Sequence, residues 1–325
     1  MHEAIDSLAG NVEIINLLPG AIERNEFSAR FQPIVDANNG KILGAELLLR
    51  WHSPAGEIPP DVFIPLAEMS GDILSIGAWV FRQGCLAEVR WRERWGDDAP
   101  YVSINVSTKQ LSDAHLMDDF TAILEQTSAN PSCILLEVTE TSLMTDVEAN
   151  LRVLHRLVEI GFRIAIDDFG TGYSSLAQLA KMPVDVLKID RAFVDNIETK
   201  KEDLMVTRAV IGLARDFGLK VIAEGVETSG QQSILKINGC DSLQGYLFSI
   251  PIEESHFMAY VDSKIDMDCA LGQDGHFFVI YVSKATRRID DAELGDILNN
   301  AILFNRLNEI TGFLVYQDGY FLQLL

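Results

Sequence analysis

The chain has 325 residues, of which 48% are hydrophobic, enough for one large α/β domain with a sizeable core and a smaller second unit. Its net charge of -22 excludes a basic face that could neutralise a nucleic-acid backbone, so we expect no DNA or RNA partner. The N-terminus is acidic, unlike a signal peptide, no apolar run is long enough to span a bilayer, and the four cysteines lack metal-binding spacing. We therefore expect a cytoplasmic protein with reduced thiols and no membrane contact.

The first predicted elements are two paired strands that follow an N-terminal leader of residues 1–27. The apolar stretches 31–35 and 42–51 flank Asp36–Gly40, a segment of turn-forming residues. A turn of this kind between apolar stretches predicts an antiparallel strand pair. We expect this pair to open the first domain.

Five short apolar runs then alternate with helical patterns. The runs are rich in Ile, Val and Leu, and each has a polar residue at or near its end, as buried parallel strands do. They occupy residues 102–106, 134–138, 163–168, 186–190 and 221–224. Gly161 and Gly218 stand where two of the intervening helices are expected to end. This alternation favours a (β/α) barrel or a doubly wound sheet, and the barrel is preferred because the chain lacks a Gly-x-Gly-x-x-Gly turn.

The run that begins at Arg163 ends in two adjacent carboxylates, Asp167 and Asp168, followed by a glycine-bracketed turn. Two acids side by side repel each other unless a cation lies between them. Taken alone, the stretch is equally consistent with a solvated acidic loop. The other strand ends decide between these interpretations.

The C-terminal ends of barrel strands converge on one mouth, so the polar residues at these ends are expected to lie together. Carboxylate and amide oxygens suit Mg²⁺ or Mn²⁺, and adjacent acids can hold two ions within about 4 Å for in-line attack of an acidified water on a phosphate ester. A lysine among them would orient that water or a phosphate oxygen, although a structural ion pair between Lys188 and Asp190 is the alternative. The residues collected in this way are Glu46, Asn105, Glu137, Asp167, Asp168, Lys188, Glu224 and Gln244.

Seven motifs in this order resemble those of the EAL-domain cyclic di-GMP phosphodiesterases, over about residues 28 to 255. The motifs are Glu46-Leu47-Leu48 with Arg50, Asn105-Val106-Ser107, Glu137-Val138-Thr139-Glu140, Asp167-Asp168-Phe169-Gly170-Thr171-Gly172, Leu187-Lys188-Ile189-Asp190, Glu224-Gly225-Val226-Glu227 and Gln244-Gly245-Tyr246. The resemblance implies a modified (β/α)8 TIM-like barrel with one antiparallel strand, placed at residues 28–262. It also implies hydrolysis of cyclic di-GMP to linear pGpG with two Mg²⁺ or Mn²⁺ ions, and a homodimer formed through the barrel.

The resemblance assigns a role to each matching position. The implied metal ligands are Glu46, Asn105, Glu137, Asp167, Asp168 and Glu224. The implied catalytic residues are Lys188, which would position the hydrolytic water, together with Glu224 and Glu46. The implied substrate contacts are Gln32, Leu48, Arg50 and Gln244. Glu140 would stabilise the loop after Asp168, which in this family couples dimerisation to activity.

Two positions depart from the family pattern: Leu47 replaces an alanine, and Ile250 precedes Pro251 where a basic residue is common. The first changes packing beside Glu46, and the second weakens a contact near a guanine or phosphate. The competing class is a non-catalytic cyclic di-GMP receptor or light-signalling module. Such a receptor usually lacks a metal ligand or the lysine, and in this sequence none of them is missing.

A second domain is predicted after a linker at residues 263–275. An apolar strand at 277–282, a helix face at 294–301, and strands at 313–316 and 320–323 around Asp318-Gly319 form a β-α-β-β pattern. On its own, this pattern is consistent with an ordinary small α/β module.

Residues 276–325 resemble the first half of BLUF blue-light flavin sensors, a truncated ferredoxin-like α+β unit. In that family a tyrosine and a glutamine exchange hydrogen bonds around the flavin, and an asparagine holds the isoalloxazine edge. The matching positions are Tyr281, Asn305 and Gln323. We expect FAD only in a complete BLUF domain, with weak or no binding in this chain. Light regulation of the hydrolase is expected for the complete form.

Overall fold

The computed structural model describes residues 12–170, 176–271, 280–284, 313–317 and 320–324. The chain divides into two compact units, Met1–Asp262 and Ser263–Leu325. Across the described ranges, no helix is both long and apolar enough to cross a bilayer.

The first unit is built on a closed barrel of eight strands with one additional strand. The strands are β1 (Phe27–Asp36), β2 (Ile42–Ser53), β3 (Gly56–Ile58), β4 (Tyr101–Asn105), β5 (Ile134–Thr139), β6 (Arg163–Phe169), β7 (Val186–Ile189), β8 (Lys220–Ala223) and β9 (Ser242–Gln244). Their order is β1-β9-β8-β7-β6-β5-β4-β2, pairing of β1 with β2 closes the ring, and β3 is added to β2. Strand β1 is antiparallel to both neighbours, and the other barrel pairs are parallel. The predicted barrel and its antiparallel strand are confirmed.

Helices connect the strands and cover the barrel. They are α1 (residues 12–17), α2 (Pro60–Ser70), α3 (Ile73–Trp95), α4 (Thr108–Leu111), α5 (Leu116–Thr127), α6 (Glu140–Met144), α7 (Val147–Ile160), α8 (Leu176–Leu179), α9 (Arg191–Val194), α10 (Lys201–Phe217), α11 (Ser229–Ile237) and α12 (Glu254–Leu271). Gly161 and Gly218 end α7 and α10 in the left-handed conformation, as predicted. Helix α12 continues into the segment 263–275, which the sequence analysis interpreted as a linker.

An apolar layer fills the barrel directly beneath its mouth. Its members are Ile34, Leu135, Ala165, Val186 and Ile222, each at most 2% exposed. In the four parallel strands of this set, the position two residues further on carries an acid or a lysine. Since side chains two apart share a face of a strand, the polar residues form the next layer of the same interior. The apolar layer therefore closes the floor of the mouth.

Two acidic side chains of α12 are held by α3 in the same way. In each case an arginine donates two hydrogen bonds to the carboxylate and the following tryptophan donates a third, at donor–acceptor distances of 2.6–3.2 Å. These Arg-Trp clamps are Arg90 and Trp91 around Glu254, and Arg94 and Trp95 around Asp262. Phe257, between the two acids, packs against Trp91 with ring centroids 4.5 Å apart. The clamps and this apolar contact together seat the first half of α12 on the barrel.

Beyond the end of α12, the described part of the second unit is an antiparallel sheet of three strands. These are β10 (Ile280–Lys284), β11 (Phe313–Gln317) and β12 (Tyr320–Leu324), in the order β10-β12-β11. The β11–β12 pair confirms the hairpin predicted around Asp318-Gly319. Tyr281 and Gln323 are direct partners in the β10–β12 register. The predicted helix at 294–301 and the candidate flavin residue Asn305 lie outside the described residues.

Candidate functional site

Lys188 is the centre of the polar layer at the barrel mouth. Its side chain is fully buried on β7, and its Nζ lies 2.6 Å from Glu137 Oε2, 3.3 Å from Asp167 Oδ1 and 3.7 Å from Glu46 Oε2. Nζ also forms an ion pair with Glu224 Oε1. The predicted strand-end residues therefore come together in space around one ammonium group.

The alternative partner considered for Lys188 has another function in this arrangement. Asp190 follows β7, and its Oδ1 accepts a hydrogen bond of 2.8 Å from the backbone N–H of Ala192. This contact caps the N-terminus of α9. The structural Lys188–Asp190 pair is therefore not formed, and Lys188 is paired with the acids of the mouth.

Glu46 is held by two side-chain amides. Asn105 Nδ2 donates to its Oε1 at 2.7 Å, and Gln244 Nε2 donates to its Oε2 at 2.6 Å. Burial opposes ionisation of Glu46, but the Lys188 charge and the two amides outweigh burial, so its pKa lies below the ordinary value. Glu46 is therefore a fixed, ionised carboxylate.

Glu137 is the most deeply buried acid of the layer, with 1% of its surface exposed. Its Oε2 accepts from Lys188, and its Oε1 accepts a hydrogen bond of 2.5 Å from the hydroxyl of Ser103. Burial, reinforced by the charge of Glu46, raises the pKa of Glu137 well above its usual range. Ser103 was not predicted from the sequence: it lies two residues before Asn105 on the same face of β4, and its bond to Glu137 becomes evident once β4 and β5 are aligned.

Two further acids of the mouth, Glu224 and Asp168, also hold their protons more tightly than free carboxyls do. Burial, with the Lys188 charge opposing it, raises the pKa of Glu224 to about 8. Burial and the neighbouring charge of Asp167 raise the pKa of Asp168 to about 6. The pKa of Lys188 is also raised well above its usual value, because the surrounding carboxylates outweigh the effect of its burial. The excess of negative charge in the mouth follows from the contacts themselves, since four carboxylates share one ammonium group.

The donor set fits a hard cation. Four carboxylates contact one ammonium group, and among the described residues the buried Gln244 Oε1 has no hydrogen-bond partner. Oxygen donors in excess over positive charge are the chemistry that Mg²⁺ and Mn²⁺ require. In this conformation the carboxylates converge on Lys188 Nζ, and within the described ranges no group of three or more His, Cys, Asp or Glu has the spacing of a metal site. The binding of two metal ions at Asp167 and Asp168 stays a prediction.

The backbone at the end of β6 separates its two adjacent acids. Asp168 adopts a left-handed conformation with φ of 54°, and its N–H donates to Asp167 Oδ1 at 3.0 Å. Aspartate tolerates this conformation better than most residues because its short side chain bonds locally. The buried Glu140 accepts a hydrogen bond of 2.9 Å from the N–H of Gly170. Glu140 thus holds the chain just after Asp168, while residues 171–175 lie outside the described ranges.

The predicted substrate contacts occupy different parts of the mouth. Gln32 joins the polar layer, since its Oε1 accepts from Gln244 Nε2 at 3.2 Å. Leu48 lines a cavity of about 360 Å³ that Asn105 also borders. Arg50 lines a separate groove and donates to the backbone carbonyl of Leu49 at 2.8 Å. The structure therefore brings Gln32 and Gln244 to the acids and places Leu48 and Arg50 to one side.

The two departures from the family pattern differ in their surroundings. Leu47 is 2% exposed and is part of the hydrophobic core, on the face of β2 opposite to that of Glu46. Ile250 is 58% exposed and follows the Gln244-Gly245-Tyr246 motif. Only Ile250 is accessible to a ligand.

Gly245 allows β9 to approach the segment after β8, and we expect Gly245→Ala to destabilise the protein by about 1–3 kcal/mol, as overpacking does. A Cβ at this position would lie 2.1 Å from the carbonyl oxygen and 2.3 Å from the nitrogen of Val226, both backbone atoms. Urea denaturation would measure the loss.

The matched control is Gly212→Ala inside α10, where a Cβ would meet nothing within 4 Å. This substitution should stabilise the helix by about 0.5–1 kcal/mol. Equal stability of Gly245→Ala and the unaltered protein would contradict the expectation.

The EAL domain family model matches residues 15–251, and the chain belongs to this family. Residues 277–325 match a second family model, that of the sensors of blue-light using FAD (BLUF). The barrel mouth and the C-terminal sheet thus fall in separately matched segments.

Curated relatives and solved structures agree with the family assignment. The bifunctional diguanylate cyclase/cyclic di-GMP phosphodiesterase MucR of Pseudomonas aeruginosa is 40% identical over 77% of this chain and 36% of its own length. The cyclic di-GMP phosphodiesterase NbdA of the same organism is 40% identical over 71% of this chain and 30% of its own length. A structure of the PaMucR phosphodiesterase in complex with c-di-GMP superposes with a TM-score of 0.73 at 40% identity, over 75% of this chain and 99% of that chain. The chain spans about a third of the length of the two curated relatives.

Proposed function

We propose that this chain is a metal-dependent phosphodiesterase that hydrolyses cyclic di-GMP to linear pGpG. The observation that carries the proposal is the polar layer itself, in which Lys188 contacts four carboxylates and the amides of Asn105 and Gln244 hold Glu46. The names of the EAL relatives support the substrate. The intact set of acids and lysine distinguishes this chain from a receptor that has lost turnover.

The proposed ions would neutralise the excess negative charge of the mouth and, when bound, supply a Lewis acid that acidifies water and polarises a phosphoryl oxygen. The residues proposed to hold two Mg²⁺ or Mn²⁺ ions are Glu46, Asn105, Glu137, Asp167, Asp168 and Glu224. The excess of carboxylates over positive charge around Lys188 supports this assignment, because a bound cation would neutralise part of that charge.

Lys188 is proposed to orient the attacking water while its own charge keeps the acids in place. Its position at the floor of the mouth, with contacts on several sides, limits its motion. Gln32 and Gln244 are proposed to contact the dinucleotide from within the polar layer, and Leu48 and Arg50 from the side. Glu140 is proposed to keep the chain after Asp168 in shape, and a homodimer through the barrel would act on that segment.

The domain division stays part of the proposal: a leader at 1–27, the phosphodiesterase at 28–262, a linker at 263–275 and a BLUF-type unit from 276. A light-sensing role for the last unit is supported by its family match and by the direct register of Tyr281 with Gln323. In a complete BLUF domain these two residues and Asn305 would contact FAD. We place the protein in the cytoplasm, in keeping with a nucleotide substrate.

The proposal predicts that purified protein converts cyclic di-GMP to pGpG with Mg²⁺ or Mn²⁺ and loses turnover in excess EDTA. Chromatographic separation of the nucleotides measures the product, and rates in darkness and under blue light test regulation in the same assay. Binding of cyclic di-GMP without pGpG would support the receptor instead. Turnover that persists in EDTA would contradict metal dependence.

A further inference from the structure

Ser103 lies inside the barrel, one layer below the open mouth. It is fully buried on β4, with Glu46 of β2 and Leu135 of β5 as its register partners. Asn105, two residues further along β4, shares its face of the strand. A hydroxyl in this position has no access to solvent, so its hydrogen bonds are directed to the barrel interior.

The hydroxyl of Ser103 has one proton and two nearby acceptors. Its Oγ lies 2.5 Å from Glu137 Oε1 and 3.3 Å from the carbonyl oxygen of Leu135. The shorter distance marks Glu137 Oε1 as the principal acceptor of the Ser103 proton. Because Lys188 Nζ lies 2.6 Å from the other oxygen, Oε2, each oxygen of Glu137 has its own donor. The plane of the Glu137 carboxylate is therefore fixed from two sides.

Strand β4 keeps two glutamates apart. Asn105 donates to Glu46 on β2, and Ser103 donates to Glu137 on β5, the neighbour on the other side. Two carboxylates in a buried setting repel each other when both are ionised. Because β4 lies between the two glutamates and supplies one hydrogen-bond donor to each, it fixes the distance between their carboxylates.

We propose that Ser103 is a positioning residue for cation binding: its hydroxyl fixes the carboxylate of Glu137 in the orientation that the metal site needs. The inference rests on the proposed function, in which Glu137 is a metal ligand. A residue that hydrogen-bonds to a metal-coordinating side chain, without touching the metal itself, sets the orientation of that side chain. Loss of such a residue costs about 10–100-fold in metal affinity or activity. Ser103 makes such a contact with the deepest acid of the layer.

The test is Ser103→Ala, studied by isothermal titration calorimetry with Mn²⁺ alone and by steady-state kinetics with cyclic di-GMP. We expect Mn²⁺ affinity to fall about 10-fold or more, and kcat to fall with KM unchanged, because Ser103 contacts a metal ligand and lies below the substrate. The matched control is Ser242→Ala, the same truncation of a buried serine at the start of β9, where its register partner is Asp36. This control should keep the Mn²⁺ affinity of the unaltered protein.

Each outcome decides the proposal. A folded Ser103→Ala protein with unchanged Mn²⁺ affinity and kcat overturns it, and so does an equal loss in Ser242→Ala. If Ser103→Ala does not fold, Ser103→Cys keeps the size with a weaker donor and must show the same loss of affinity. If the unaltered protein does not bind Mn²⁺ or does not produce pGpG, the proposed function fails as well. If only the Ser103 variants behave like the unaltered protein, the proposed function stands and the role of Ser103 is refuted.

Discussion

Lys188→Ala is expected to lower kcat for cyclic di-GMP by about 10²-fold or more, the cost of misplacing a reacting group, because Lys188 is proposed to orient the attacking water. The variant removes the ammonium group on which Glu137, Asp167 and Glu224 converge. Loss of one partner of a buried ion pair also destabilises a protein by about 3–5 kcal/mol. We therefore expect a lower thermal midpoint without metal and partial recovery with Mn²⁺, measured by calorimetry alongside turnover.

The control for this variant is Lys220→Ala. Lys220 lies at the start of β8, largely exposed, and pairs with Asp241 at 2.7 Å. Its loss removes a surface ion pair, which contributes at most about 1 kcal/mol, and should leave kcat unchanged. Full turnover by a folded Lys188→Ala protein would refute the role of Lys188.

Glu46→Gln is expected to weaken Mn²⁺ binding and lower kcat by about 100-fold or more, at or above the upper end of losses seen for residues that only support a ligand. Both oxygens of Glu46 accept hydrogen bonds from amide groups, those of Asn105 and Gln244. A glutamine has one acceptor and one donor, so one of these amides would face another donor. The substitution removes a charge and breaks a contact with almost no change in shape.

Calorimetric titration with Mn²⁺ and measurement of pGpG formation would quantify both losses. Glu125→Gln, the same change at an exposed position on α5, is the control and should alter neither quantity. Turnover retained in Glu46→Gln together with Lys188→Ala would contradict the assignment of the mouth as the catalytic site.

The barrel could be predicted because the sequence shows where each parallel strand lies and where it ends. Apolar runs such as 134–138 and 186–190 carry a polar residue at or near their ends, and the same pattern repeats at each parallel strand. Parallel strands of a barrel end at one mouth, so Glu137 and Lys188 were predicted to meet without any knowledge of their contacts.

Contacts that depend on register could not be predicted in the same way. Lys188 had a candidate partner two residues away in Asp190, and the chain alone does not show that Asp190 caps α9 instead. Ser103 stands in an apolar strand, where a small polar residue gives no functional signal. Its bond to Glu137 becomes evident only when β4 and β5 are aligned.

The segment after Pro251 illustrates a different limit of sequence patterns. Its apolar periodicity is weak and predicted no helix, yet α12 extends to Leu271, inside the segment 263–275 that is proposed as a linker. The helix is fixed to α3 largely by the carboxylates of Glu254 and Asp262, and hydrophobic periodicity does not register such contacts.

The Arg-Trp clamps also limit how α12 can be displaced. Glu254 and Asp262 are eight residues apart, about 12 Å along a helix axis. A slide of one turn, about 5.4 Å, or a rotation about the axis would carry both carboxylates away from donors that now lie at 2.6–3.2 Å. Axial position and rotation are thus fixed together, and movement of α12 as a rigid rod requires the loss of all six hydrogen bonds.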